Sequence, residues 1–159
     1  MAAIDVRELI RLAKKDEDVG AEFYQKLAEK VEDPGLRKRI LEIRNQEIEH
    51  SKRFQEMLDE LSDYVPQEDF QGQYEQYFQS FLSKREFLES GDAVKAASRV
   101  GSDMEAIKFA LSQEKNTLLF FLEMKELLPS GQHREMVHEV IDEERDHIVE
   151  LSQMIMDRL

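Results

Sequence analysis

The chain has 159 residues, 41% of them hydrophobic and 36% charged, and a formal net charge of -13. That length suits one domain with one sizeable core, and the acidity argues against binding nucleic acid through its phosphates. Cysteine is absent, which excludes disulfides, iron–sulfur clusters, thiolate zinc sites and cysteine nucleophiles. No apolar run approaches the roughly 20 residues needed to cross a bilayer. The start, "MAAIDVRELI", lacks the basic stretch and apolar middle of a signal peptide. A cytoplasmic location with no membrane partner is expected.

The spacing predicts an all-α protein. A first helix runs from Val6 to Val31, with Val6, Leu9, Ile10, Ala13, Ala21, Tyr24, Leu27, Ala28 and Val31 on one face. Glu17 stands inside that apolar stripe. "EDPG" (32–35) supplies a stop and a turn. A second helix, Leu36 to Leu61, carries the stripe Leu36, Ile40, Ile43, Phe54, Met57, Leu61, and at its two middle steps stand Glu47 and His50. Residues 62–101 read differently: a loop with Pro66 and Gly72, an aromatic amphipathic segment with Tyr74, Tyr77, Phe78 and Phe81, then a short helix in "GDAVKAASRVGS". Such a stretch exceeds a hairpin loop and suits a long crossover between two helix pairs. Its aromatics are expected to pack on the bundle or on a second subunit.

A third helix begins at "SDME", where Ser102 and Glu105 have capping-box spacing. Its stripe is Met104, Ile107, Leu111, Leu118, Phe121 and Leu128, interrupted by Glu114. "LPSGQ" breaks it. The fourth helix shows Val137, Val140, Leu151 and Met154, interrupted by Glu144 and His147. The organisation is therefore one domain over 1–159: helix pair 5–61, crossover 62–101, helix pair 102–159.

An offset of 97 residues maps one half on the other. Glu17 falls on Glu114, Glu47 on Glu144 and His50 on His147; Tyr24 falls on Phe121. Residues three apart share a helix face, so each Glu-x-x-His points one way. Glu17 lies about fifteen residues before its turn, and Glu47 and His50 about eleven and fourteen after it, which puts them at similar heights on antiparallel neighbours. Packed face to face, the hairpins bring four carboxylates and two imidazoles together. Unpaired, each buried carboxylate loses several kcal/mol of hydration and repels the rest. Two divalent cations balance four carboxylates and leave neutral imidazoles as ligands, so a two-metal site is the simplest way to keep this core. A metal-free polar core is the alternative.

The chain contains look-alikes. Glu135 and His138 have the same spacing, but the offset places Lys38 and Leu41 opposite them and they lie off the buried stripe, so a surface pair is expected. His133 is expected in or near a turn, solvated. Asp18 or Glu22 would replace Glu17 if the register slipped, but they map on Lys115 and Leu119.

One Glu, Glu-x-x-His, a long crossover, one Glu, Glu-x-x-His resembles the ferritin-like di-iron carboxylate proteins, a four-helix bundle of two antiparallel hairpins. "EDVGAEFYQKLAE" (17–29), "NQEIEHSKRF" (45–54) and "IDEERDHIVEL" (141–151) resemble the rubrerythrin family in particular. The resemblance implies Glu17, Glu47, His50, Glu114, Glu144 and His147 as ligands of two iron ions, with Glu47 and Glu144 terminal or bridging according to redox state. It also implies that Tyr24 hydrogen-bonds a ligand carboxylate, or else that its ring simply fills core; Phe121 cannot donate. Such carboxylate-rich donors suit iron or manganese better than a structural zinc site, with zinc as a substitute occupant.

Two departures stand out. The cysteine-rich rubredoxin module of the family has no counterpart here, so an external electron donor such as a rubredoxin-type protein is expected. The additional Glu that rubrerythrins carry three residues after the third-helix ligand is Thr117, and its repeat equivalent is Gly20, which makes the six-ligand set resemble the bacterioferritin kind. The implied function is a di-iron oxidoreductase that reduces hydrogen peroxide or dioxygen. A ferroxidase or iron-storage role and a metal-free structural bundle are the alternatives. A homodimer is expected, since the aromatic crossover can pair.

Overall fold

The computed structural model describes residues 5–61, 76–81, 90–128 and 131–159. All regular structure among them is helical: α1 (Val6–Lys30), α2 (Pro34–Glu60), α3 (76–81), α4 (Ser90–Ser98), α5 (Asp103–Leu127) and α6 (Gln132–Met156). The predicted loop with Pro66 and Gly72, and both ends of the predicted aromatic segment, Tyr74 among them, lie outside the described residues. α1 packs along α2 and α5 along α6, while α1 meets α5 and α2 meets α6; α4 lies against α1. The result is the expected all-α bundle of two hairpins with a crossover.

Side chains define the helix ends. Asp5 caps α1 by accepting from the Arg7 N–H at 2.9 Å. Asp33 caps α2, accepting from Gly35 and Leu36 at 2.7 and 3.0 Å. "EDPG" is thus only half a turn: Pro34 and Gly35 already belong to α2, because proline fits the first helical position, where its missing N–H is not needed. Ser102 caps α5 through the Glu105 N–H, and Glu105 reaches back to the N–H of Gly101. Arg37 donates to the Ala28 and Val31 carbonyls at the end of α1, and Arg134, 97 residues later, donates to those of Lys125 and Glu126 at the end of α5. Each second helix therefore satisfies orphan carbonyls of the first. Asp103 joins the halves by accepting from the backbone N–H groups of Glu32 and Asp33.

The apolar core is divided in two. One cluster gathers Leu9, Ile10 and Ala13 with Phe54, Phe120, Phe121 and Val140, and takes in Phe78 of α3. The other gathers Phe23, Tyr24 and Leu27 with Ile40, Ile43, Ile107 and Leu151, and takes in Ala93 and Ala97 of α4. The crossover aromatics divide accordingly: Phe78 is buried and stacks near Phe81, while Tyr77 is half exposed and donates to Glu123. The α5 stripe differs from its spacing. Ala106, Ala110, Phe120 and Met124 are buried with Ile107 and Phe121, whereas Met104, Leu111 and Leu118 are half-buried. In α1, Val19 and Phe23 are buried and Ala21 is half-buried.

Candidate metal centre

Between the two apolar clusters lies a polar layer. Glu17 of α1, Glu47 and His50 of α2, Glu114 of α5, and Glu144 and His147 of α6 are all buried there, none more than 4% exposed. Each sits on the core-facing stripe of its helix, which is why packing the hairpins brings all six together. They form two groups of four: Glu17, Glu47, His50 and Glu144, and Glu47, Glu114, Glu144 and His147. Within each group the donor atoms lie within 4.8 Å of one another. Glu47 and Glu144 belong to both. The two rings lie 6.1 Å apart, tilted by 30°.

Each imidazole turns one nitrogen into the layer. His50 Nδ1 stands 2.9 Å from Glu144 Oε1 and 3.3 Å from Glu17 Oε2. His147 Nδ1 stands 3.2 Å from Glu144 Oε2 and 3.5 Å from Glu114 Oε2. The outer nitrogens are anchored across the seam. His50 Nε2 donates to Glu143 Oε2 at 2.9 Å, and Glu143 in turn accepts from Arg53 at 2.8 Å. His147 Nε2 donates to Gln46 Oε1 at 2.7 Å. Such bonds fix the tautomer and leave Nδ1 as the donor for a metal. Gln46 and Glu143 escape a stripe-based reading. The repeat contains them nonetheless, since they fall on one another at the 97-residue offset, each just before a layer Glu.

Tyr24 also reaches the layer: its hydroxyl donates to Glu114 Oε1. Phe121 packs in the other apolar cluster, 5.3 Å from the Phe54 ring. Gly20 makes room, because a Cβ there would stand 2.6 Å from Glu47 Oε2. Gly20 and Thr117 line a cleft of about 20 Å³, the size of one water, together with Tyr24, Glu47 and Glu114 and the half-buried Asp16 and Gln113. Thr117 donates to Asp16 at 3.1 Å across it.

The competing acids and histidines lie elsewhere. Asp18 is exposed and accepts from Ser51 and Lys14, and Glu22 is exposed. His138 is exposed beside Lys125 and Asp142. His133 is not solvated as its turn position suggested. Its side chain is only 18% exposed and donates to Glu60 at 2.9 Å, tying α6 to the end of α2.

The layer's electrostatics are those of crowded acids. Burial, then the charges of Glu144 and Asp16, push Glu17 well above the usual carboxylate range. Burial, then Glu17 and Glu144, do the same to Glu47. Burial and Glu144 raise Glu114 to about 8. Burial acts on Glu144 too, but Glu114, His147 and His50 around it outweigh that and hold it well below its ordinary value. Burial alone would lower the imidazoles. The adjoining Glu144 outweighs it at His50, raised to about 9, and Glu114 with Glu144 outweigh it at His147, raised to about 11. Burial and the Glu114 charge keep the Tyr24 hydroxyl protonated.

The donor set fits divalent cations. Glu17 Oε1 and Oε2, Glu47 Oε1, His50 Nδ1 and Glu144 Oε1 are buried with no hydrogen-bond partner among the described residues. Orphaned buried polar atoms are costly, and these converge where a cation would satisfy them together. Oxygen-rich donors with two imidazoles suit iron or manganese.

Fold and layer together define a class: an all-α, ferritin-like bundle. A crystal structure of a Thermotoga maritima protein, provisionally described as a ferritin-like diiron-carboxylate protein, superposes with a TM-score of 0.73. It is 22% identical and matches over 100% of this chain and 99% of that one. The profile of the rubrerythrin family matches residues 8–155, and the chain belongs to that family. No curated protein matches the sequence. No helix among the described residues is long and apolar enough to cross a membrane.

Proposed function

We propose that the chain is a di-iron oxidoreductase that reduces hydrogen peroxide or dioxygen with electrons from an external donor. The observation that carries this is the pair of four-donor groups sharing Glu47 and Glu144 in a buried layer. Glu17 and His50 complete one group and Glu114 and His147 the other, so the six residues would hold two ions. Manganese fits the same donors, and zinc can substitute. Two bound ferrous ions would supply two electrons, enough to take hydrogen peroxide to water or dioxygen to peroxide.

The chain's own residues supply the setting. The apolar clusters above and below exclude bulk water, so charge inside the layer interacts strongly. Gln46 and Glu143 hold the ring nitrogens that face away from the layer. Tyr24 holds a proton at its hydroxyl against Glu114. Gly20 and Thr117 leave a cleft beside Glu47 and Glu114 through which a small oxidant reaches the layer.

Metal analysis after anaerobic reconstitution, followed by rapid mixing of the ferrous protein with peroxide and separately with oxygen, tests the proposal. Two irons per chain and faster oxidation by peroxide are expected for the peroxidase form. Thr117, at the position where rubrerythrins carry the additional Glu, favours a second reading as a ferroxidase or storage protein. That reading needs iron far above two per chain and a cage-sized assembly in solution. A homodimer and a cytoplasmic location remain expectations attached to the first reading; light scattering separates dimer from cage. No metal uptake and an unchanged melting temperature would leave a structural bundle.

A further inference from the structure

We infer that the two metal subsites are unequal, and that the one built on Glu17 and His50 fills first and holds its ion more tightly than the one built on Glu114 and His147. The inference rests on the two-metal reading above and adds an order of filling to it.

Three observations point the same way. The first concerns the outer nitrogens of the imidazoles. His50 donates to a carboxylate, Glu143, which Arg53 holds in place, whereas His147 donates to the neutral amide oxygen of Gln46. A carboxylate polarises the ring more than an amide does and makes the inward nitrogen the better donor. Arg53, paired with the other Glu143 oxygen at 2.8 Å, offsets part of its charge but leaves the acceptor at the ring a carboxylate.

The second concerns the carboxylate belonging to one subsite alone. Glu114 Oε1 already accepts the Tyr24 hydroxyl, which draws charge from it. Glu17 carries no such donor from outside the set: neither of its buried oxygens makes a hydrogen bond among the described residues, and its near neighbour is His50 Nδ1, 3.3 Å away and itself one of the six. The repeat makes this asymmetry visible, because Phe121 stands where a second Tyr24 would be.

The third is access. The cleft lined by Gly20 and Thr117 touches Glu47 and Glu114 but neither Glu17 nor His50. An ion held by Glu114 and His147 is the one that solvent and chelators reach first. Tight holding on one side and exposure on the other give a retained ion and an exchangeable one.

Changes to outer partners of metal-bound histidines shift affinity by about 10- to 100-fold, and that is the expected separation between the two dissociation constants. The test is an anaerobic titration of the metal-free protein with Co²⁺, read by its visible spectrum and by calorimetry. Anomalous diffraction from crystals carrying one equivalent locates the first ion. Two resolved steps are expected, with the first ion among Glu17 and His50. Glu143→Gln should bring the steps together, and Gln46→Glu should tighten the second. Combining both changes should narrow the separation further than either change alone, with circular dichroism confirming that each variant is folded. Two ions binding in a single step, or a first ion at Glu114 and His147, would overturn the inference and leave the two-metal reading intact. So would a step separation unchanged by Glu143→Gln. Failure to bind any Co²⁺ would overturn both.

Discussion

Gly20→Ala separates what the layer needs with metal from what it needs without. Alanine is a better helix former than glycine by about 0.8–1.0 kcal/mol in a helix interior, and residue 20 lies in the middle of α1. The new Cβ would meet Glu47 Oε2 at 2.6 Å, so that oxygen must retreat by at least about 0.4 Å to reach the shortest separation real Cβ atoms show. Without metal, the end of a flexible side chain can make that move. The metal-free variant should then melt about 2–4 °C higher, the shift that about 1 kcal/mol gives at this chain length. With metal, Glu47 is shared by both subsites, and ligand distances tolerate only about 0.2 Å. An affinity loss of at least about tenfold follows, worth about 1.4 kcal/mol of linked stability, so the metal-induced rise in melting temperature should shrink by about 3–6 °C. The assay is a pair of anaerobic melts, metal-free and with Mn²⁺ in fixed excess, for both proteins. A metal-induced rise equal to that of the parent would refute the reasoning, since Glu47 would then not be held against Gly20 by a metal.

Loading the parent protein at about 1,000 times the dissociation constant should stabilise it by about 4 kcal/mol, seen in calorimetry as a melting temperature about 8–16 °C higher; equal melts would mean that no ion binds the folded state. Metal-free stability should fall as pH rises. Glu114, with its folded value raised from 4.5 to about 8, contributes fully below 4.5 and loses that contribution through about 8. His50, raised from 6.5 to about 9, loses its own between those values. Glu144 shifts the opposite way and is constant above its ordinary value, so denaturant midpoints should decline from pH 6 to 9; a rise over that range would contradict the assigned directions. Tyr24→Phe leaves Glu114 Oε1 buried without its donor, a cost of about 1–3 kcal/mol in the metal-free protein. Reconstitution should recover part of that loss, because a cation satisfies the oxygen; urea titrations with and without Mn²⁺ check it.

The six layer residues can be found in the sequence because each interrupts an apolar stripe of helical period and each has a counterpart 97 residues away. Periodicity says which face is buried and the repeat says that the interruption is not chance. The stripe does not reach Gln46 and Glu143, and the offset, though it pairs them, pairs unlike residues and so does not single them out. They stand on the flank of the stripe, where a polar residue needs no explanation, and their role exists only once one hairpin is laid across the other. α5 is hard to read for the opposite reason. "LLFFL" (118–122) is apolar all round, so the spacing cannot choose between Leu118, which is half-buried, and Phe120, which is fully buried. The choice is made by α3 and by Phe54 and Phe121 packing from the sides. Pro34 shows a third limit: it signals a break in one direction and a helix start in the other, and Asp33 decides between them through its cap.

The division of the core by a polar layer also sets the alignment of the two hairpins. Apolar surfaces are indifferent to sliding, since Leu against Ile is worth much the same one turn along. Here a slide of about 5.4 Å, one helical turn, would carry Glu144 and His147 out of reach of Glu47 and against Phe54 or Ile43. Two buried polar groups would lose their partners at a cost of several kcal/mol each. The layer thus acts as a vernier, with only one setting in which acids meet imidazoles, and it works before any ion arrives. Replacing all six residues by leucine would be expected to give a firmer bundle that no longer knows where to stop.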